Sequence, residues 1–274
     1  MSMENHAAAT KPVLKVCDLD VRFPDFPDST LRKVSLELNR GDILGLVGES
    51  GCGKSLLART IMRLETPAEI AGGSIIFEGK ELTGLSKPDL RQLRGRGMSY
   101  VVQDPRLAFD PLFTVGSQIR EVLQSTKPLS LLPRPGLLKR PRKAISAALQ
   151  QLLSAVGVAD PDERLRQYPH EWSRGMLQRA QIVMAFSTSP QLVILDEVTS
   201  ALDPTISLQI LDLIRRLQQK KKSGILFITH DLNIAKEICS HIAVMRHGTL
   251  LEKGSTDVVF AHPQNPYTRR LLSE

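Results

Sequence analysis

Four groups of residues in this 274-residue chain are of types that can hold a polyphosphate and activate a water molecule against it. The first is Gly48-Glu49-Ser50-Gly51-Cys52-Gly53-Lys54-Ser55, which fits G-x-x-x-x-G-K-[ST]. Its glycines let the backbone wrap closely round an anion with N–H groups turned inward. Lys54 supplies positive charge at the β- and γ-phosphates, and the Ser55 hydroxyl supplies a ligand for Mg²⁺. The second is Leu192-Val193-Ile194-Leu195-Asp196-Glu197, an apolar run ending in two acids. A buried strand delivers such carboxylates to its C-terminal edge, where open α/β sheets bind ligands. Asp196 is placed to hold Mg²⁺ through water, and Glu197 to polarise the water that attacks the γ-phosphorus. By itself an acidic pair after a strand is as readily a helix N-cap. Together with the glycine-rich loop it implies a nucleoside triphosphate site.

The third and fourth groups are single residues at strand ends. Gln103 closes the apolar run 98–102, where its amide can reach both metal and attacking water. His230 closes Phe227-Ile228-Thr229, where a neutral imidazole can hydrogen-bond the γ-phosphate and hold Glu197 with its water. A lone Gln is ordinarily a surface residue and a lone His ordinarily structural, so position carries both assignments. Cys52 reads first as a small residue fitting the loop, although its place near a helix N-terminus can lower a thiol's pKa.

The elements that must position these groups follow from periodicity. Residues 43–47 form a short apolar run before the loop and read as a buried strand; residues 56–64 read as the helix after it. Residues 13–23 and 31–38 alternate apolar and polar as half-buried antiparallel strands, and residues 75–80 make a further strand ending in a turn. From Asp104 the pattern becomes helical, with helices expected at 115–123, 144–156 and 175–186 and proline joints at Pro128, Pro133, Pro135 and Pro141. The β/α rhythm returns with strand 192–195, helix 206–219, strand 225–228, helix 232–238 and strand 242–245. The fold class expected is α/β: a phosphate-loop ATPase core with a parallel sheet, an antiparallel β part at the N-terminus and an inserted helical subdomain. The expected division is a disordered lead at 1–12, core at 13–103 and 189–255, helical subdomain at 104–188 and a C-terminal motif segment at 256–274.

Composition excludes several classes. No apolar run reaches the length of a membrane span, and residues 1–12 lack the apolar centre of a signal peptide. The three cysteines, Cys17, Cys52 and Cys239, have neither metal-ligand spacing nor a disulfide framework, which fits a reducing cytoplasm. A net charge of +7 invites a nucleic-acid reading, but aromatics are only 4% and no basic run is interleaved with them, so no nucleic acid is expected. The charge also fits work against an inner membrane face.

With these motifs in this order, the chain resembles the ATP-binding subunits of ABC transporters over about residues 13–272. Gly48–Ser55 is similar to the Walker A loop, Gln103 to the Q-loop, Leu192–Glu197 to Walker B, Ser200-Ala201-Leu202-Asp203 to the D-loop and His230 to the switch histidine. Phe23, or Phe26 in its stead, resembles the aromatic that stacks on adenine. The resemblance implies that two such subunits close head to tail, each ATP lying between one Walker A loop and the other subunit's signature and D-loop, here Ser173, Gly175 and Asp203. It implies ATP and Mg²⁺ as ligands, two transmembrane permease subunits, a solute-binding protein acting through them, and a peripheral position on the cytoplasmic face of the inner membrane. Gln103 through Pro111, Thr114 through Ile119, and His262-Pro263-Gln264-Asn265-Pro266-Tyr267-Thr268 are similar to the peptide/nickel importer group, and Gly175 through Arg179 is closer to its nickel and metallophore members.

One position departs from the family. The signature reads Trp172-Ser173-Arg174-Gly175-Met176, with Arg174 where the pattern has its first glycine. A side chain there adds bulk near the ligand, and a positive φ would strain it. The expectation is therefore a heterodimer with a second, different ATPase subunit and one degenerate site, powering import of peptides, nickel or a metal chelate. The alternatives are a cassette of a soluble assembly resembling the carbon–phosphorus lyase proteins, or a largely non-hydrolysing nucleotide-binding subunit.

Overall fold

The computed structural model describes residues 11–24, 30–64, 67–125, 149–151, 153–200 and 202–273. Two sheets are formed. One comprises β1 (Leu14–Arg22), β2 (Leu31–Leu38), β4 (Glu69–Phe77) and β5 (Lys80–Glu81); the other β3 (Ile43–Val47), β6 (Met98–Val101), β7 (Leu192–Asp196), β8 (Gly224–Thr229), β9 (His241–Arg246) and β10 (Thr249–Ser255). The first is antiparallel with order β2-β1-β4-β5, and the second has order β10-β9-β3-β8-β7-β6. In the second sheet only β10 runs antiparallel to its neighbour.

Alternate residues of the central strands feed two cores, which explains why these strands are apolar on both faces. Leu44, Leu46, Leu192, Ile194, Leu226 and Ile228 meet the antiparallel sheet and α1 (Lys54–Ile61). Ile43, Val47, Val193, Leu195, Ile225 and Phe227 meet the helical side. After α2 (Lys87–Leu93), that side is built by α3 (Val115–Ser125), α4 (Arg174–Ser187), α5 (Pro204–Lys221) and α6 (Leu232–Ile238). The chain ends in α7 (Thr256–Ala261) and α8 (Pro266–Ser273), which bring Val259 and Tyr267 into the same core.

Register brings the strand ends together. Val101 pairs with Leu195, Asp196 with Ile228 and Val47 with Thr229, so β6, β7, β8 and β3 terminate side by side at one edge. The residues that follow them are Gln103, Glu197, His230 and the glycine-rich loop.

Some elements differ from the expectation. β4 begins at Glu69 rather than 75, because pairing with β1 extends through a glycine-containing stretch that propensity alone would end. β10 was not marked by pattern: it is a half-exposed edge strand with no buried alternation. Helix α1 starts at Lys54 itself, and the helix expected at 144–156 lies partly outside the described residues, those at 149–151 and 153–155 being helical.

The β9–β10 turn ties the edge of the sheet to the glycine-rich loop. His247 and Gly248 both have positive φ (44° and 77°), the backbone of a tight hairpin turn. The Gly248 N–H donates to the Cys52 carbonyl at 2.9 Å, and its own carbonyl accepts from the Arg32 N–H at 2.9 Å. A Cβ on Gly248 would lie 1.8 Å from the Thr30 carbonyl oxygen. Gly248→Ala is therefore expected to cost about 2–4 kcal/mol of stability through steric conflict and left-handed strain. Urea unfolding monitored by circular dichroism checks this; a wild-type midpoint would mean that the turn is not held against Thr30.

Candidate nucleotide site

The glycine-rich loop is shaped by close backbone packing. Gly48 has φ 152°, and a Cβ there would lie 2.1 Å from the Met245 carbonyl oxygen, so only glycine lets β3 turn into the loop against β9. Gly53 occupies the N-cap of α1 with no side-chain cap and no acid in the first turn, leaving the helix N–H groups open to an anion. Lys54 is 4% exposed, and its ammonium donates to the Gly48 and Glu49 carbonyls at 2.7 and 2.8 Å. These bonds hold the charge inside the loop, beside the path a phosphate chain would take.

Asp196, at the end of β7, is 2% exposed and accepts from two hydroxyls: Ser55 Oγ to Oδ1 at 3.0 Å and Tyr100 to Oδ2 at 2.7 Å. Burial raises its carboxyl above the usual range; the two hydroxyl bonds and Arg59 act the other way, and Glu197 adds to the rise. Burial, and then Asp196, also raise the Tyr100 phenol, which remains a donor at neutral pH.

Glu197 is the next residue and is backbone-strained, with φ 47°. Such a conformation costs on the order of 1 kcal/mol for a non-glycine residue. Three bonds hold it: its N–H donates to the Ile228 carbonyl at 2.9 Å, and its carbonyl accepts from the Ser200 N–H at 3.0 Å and Ser200 Oγ at 2.7 Å. The turn sends Asp196 and Glu197 to different places. The Glu197 carboxylate accepts from Gln103 Nε2 at 2.7 Å and lies 3.5 Å from His230 Nδ1. The His230 side chain is 55% exposed while that of Glu197 is 12% exposed, so the carboxylate is sheltered and the imidazole faces outward.

Lys54, Ser55, Gln103, Asp196, Glu197 and His230 are thus gathered at one edge by four strand ends and a helix start. Tyr100 escaped sequence reading; its signal was a hydroxyl-bearing aromatic at the penultimate position of β6. Phe23 follows β1 and is half-buried, in the hairpin whose Leu31 packs against Gly53; Phe26 lies outside the described residues.

No hydrogen bond among the described residues joins Ser173, Gly175 or Asp203 to this cluster. Ser173 caps α4 by accepting from the Met176 N–H at 3.2 Å, and Asp203 caps α5 by accepting from the Ile206 N–H at 2.9 Å. A Cβ on Gly175 would meet Ile206 Cγ2 at 3.2 Å, so this glycine lets the starts of α4 and α5 approach. Arg174 is the first residue of α4, half-exposed, and does not have positive φ, so the strain that a positive φ would bring does not arise. At Cys52 burial, outweighing nearby Lys54, raises the thiol pKa, against the lowering that a helix N-terminus can cause.

This edge is that of an α/β phosphate-loop ATPase. Comparison with known proteins takes the assignment further. Residues 31–200 match the ABC transporter family. The dipeptide transport ATP-binding protein DppD of Bacillus subtilis is 40% identical over 95% of this chain and 76% of its own length. The oligopeptide transport ATP-binding protein OppD of the same species is 39% identical over 95% and 71%. Among solved structures, a dimeric post-hydrolysis ATP-binding cassette bound to ADP and Pi has TM-score 0.75 at 20% identity, covering 89% of this chain and 98% of that one. A cassette of an ABC transporter complex from Clostridium perfringens has TM-score 0.73 at 23% identity, covering 96% and 100%. The chain belongs to the ABC transporter family, as an ATP-binding domain whose hydrolysis of ATP is coupled to transport. Among the described residues no helix is long and apolar enough to cross a membrane.

Because the folded-state pKa of Asp196 lies above its unfolded value, ionising it works against the fold: its stabilising contribution is greatest in acid and is lost as pH rises through the folded pKa. Asp196→Asn is expected to raise the stability of the chain, measured without nucleotide at neutral pH, by on the order of 1 kcal/mol. The gap between variant and wild type should narrow as pH falls. Calorimetry across pH checks this, and a less stable variant at neutral pH would contradict it.

Proposed function

We propose that this chain is the ATP-hydrolysing subunit of a binding-protein-dependent importer whose cargo is peptides, acting on the cytoplasmic face of the inner membrane. The observation that carries the hydrolytic part is the Glu197 carboxylate held between Gln103 and His230, one residue beyond the buried Asp196–Ser55 pair. The names of the relatives support peptides over nickel or a metal chelate, which the signature region alone would allow.

In the reaction, Lys54 leaves the Gly48 and Glu49 carbonyls for the β- and γ-phosphate oxygens, and the open N–H groups of α1 face the same anion. Ser55 Oγ and Asp196 Oδ1 are adjacent oxygen donors, a set that suits a hard cation which keeps several waters and phosphate ligands. Ser55 and Asp196, with Gln103, would hold Mg²⁺, which when bound neutralises phosphate charge. Glu197 accepts a proton from the attacking water as the new O–P bond forms and the bridging β–γ bond breaks, giving ADP and phosphate. His230 and Gln103 keep the Glu197 carboxylate aimed at that water.

A second, different cassette subunit is proposed to complete the site. Arg174 supports this: it places a cation and a long side chain in the signature this chain offers its partner, whereas its own catalytic groups are intact. The site using this chain's Glu197 would then be the working one. In the assembled transporter Glu197→Gln is expected to lower ATPase activity about 100-fold or more while leaving ATP binding in place. An unchanged rate would refute the assignment.

The permease contact is proposed at the segment after Gln103. Leu107, Leu112 and Phe113 are 82%, 78% and 56% exposed, an apolar group with no core to join, in the segment that follows Gln103. This favours a membrane partner over a soluble enzyme assembly. Leu107→Glu combined with Phe113→Ser is expected to abolish co-purification of two permease subunits and the solute-binding protein, with ATP affinity retained. Capture of a soluble complex without permeases would overturn the transport reading.

A further inference from the structure

We infer that Gln118 is a positioning residue of the permease-docking surface: its side-chain amide fixes the loop that holds Leu112 and Phe113 outward. This deepens the reading of that surface under the proposed function and rests on it.

The loop is tied down at both ends. Phe109, before it, is 4% exposed and belongs to the helix-side core. Val115, after it, is fully buried, and its N–H donates to the Gln167 carbonyl at 2.9 Å. A Cβ on the next residue, Gly116, would lie 2.3 Å from the Leu165 carbonyl oxygen, so the start of α3 is packed against backbone. Between these anchors Asp110-Pro111-Leu112-Phe113 has the residue types of a tight turn, Asp first and Pro second. The Phe113 N–H donates to the Asp110 carbonyl at 3.3 Å, and the Leu112 N–H donates to Asp110 Oδ1 at 2.9 Å.

Gln118, one turn into α3, closes this loop onto the helix. Its Oε1 accepts from the Asp110 N–H at 2.8 Å, and its Nε2 donates to the Asp110 and Phe113 carbonyls, both at 2.9 Å. One donor and two acceptors on the backbone are thus matched by one amide, and only this orientation of the amide matches them. The bonds reach the first and last residues of the turn. Leu112 and Phe113 nevertheless stay 78% and 56% exposed. Hydrogen bonds to backbone, and not burial of these side chains, order the loop. A docking surface needs this arrangement: apolar side chains left for the partner, on a backbone already ordered before the partner arrives. The occupant is the permease of the proposed function, meeting the loop with an apolar segment.

The test uses the full chain and the two permease subunits of its transporter, purified in detergent and immobilised, and reads the dissociation constant between them. Gln118→Ala is expected to raise it about tenfold or more, with ATP affinity unchanged within about twofold and the thermal midpoint within about 3 °C. The loop then opens locally without global unfolding. Gln118→Glu keeps the shape and the acceptor but loses both Nε2 donors, and is expected to bind the permeases as weakly as the alanine variant. Wild-type permease affinity in either variant would overturn the inference, as would a loss matched by a fall in ATP affinity or thermal midpoint. Leu107→Glu with Phe113→Ser separates the two readings. If that double variant binds permeases normally, the docking surface itself is wrong and the inference falls with it. If it abolishes binding while the Gln118 variants keep it, only the role of Gln118 is refuted.

Discussion

Asp196 carries its carboxylate where bulk water does not reach, and much of the site is arranged to make that tolerable. Burial alone pushes it toward the neutral acid; two hydroxyls, from Ser55 on α1 and Tyr100 on β6, take the place of solvent. Those donors come from a helix and a strand far apart in sequence, joined only because β6 and β7 are parallel neighbours and α1 follows β3 in the same sheet. The buried strands are thus a requirement of the chemistry as well as of stability. They hold a partly desolvated carboxylate at a fixed depth, a cost the folded chain bears.

Glu197 solves the complementary problem. A strand continued in extended conformation would send consecutive side chains to opposite faces, placing one of the two acids wrongly. The left-handed φ at Glu197 breaks the alternation, and the bonds to Ile228 and Ser200 make the break permanent. Strain here serves position: it sends the carboxylates of adjacent residues to separate places, Asp196 to Ser55 and Tyr100, Glu197 to Gln103 and His230. That Glu197 itself bears the unfavourable conformation fits the tendency of strain to collect where geometry is over-determined.

Sequence revealed most of this because the relevant constraints are local. The glycine-rich loop, the apolar run into Asp196-Glu197, and the polar residues ending two other runs each have a physical signature within a few residues. What stayed hidden depends on long-range pairing. Tyr100 matters only through its neighbour strand, the start of β4 only through β1, and β10 only through β9, since a half-exposed edge strand carries no clear alternation. The backbone at Arg174 and the thiol of Cys52 depend on context in the same way: helix initiation keeps φ out of the left-handed region at one, and burial outweighs nearby positive charge at the other.

The loop itself shows why its surroundings matter. Lys54 is already satisfied by the Gly48 and Glu49 carbonyls, so phosphate binding exchanges bonds instead of adding them to an unpaired cation. An exchange of this kind yields little net free energy per contact, and affinity then depends on how well the loop is pre-organised. Pre-organisation comes from outside the motif. The Met245 carbonyl lies against Gly48, Leu31 against Gly53, and Gly248 bonds Cys52, so strands from the antiparallel sheet and the far edge of the parallel sheet both brace it. The glycine-rich sequence is the local signature; the fold around it sets its shape.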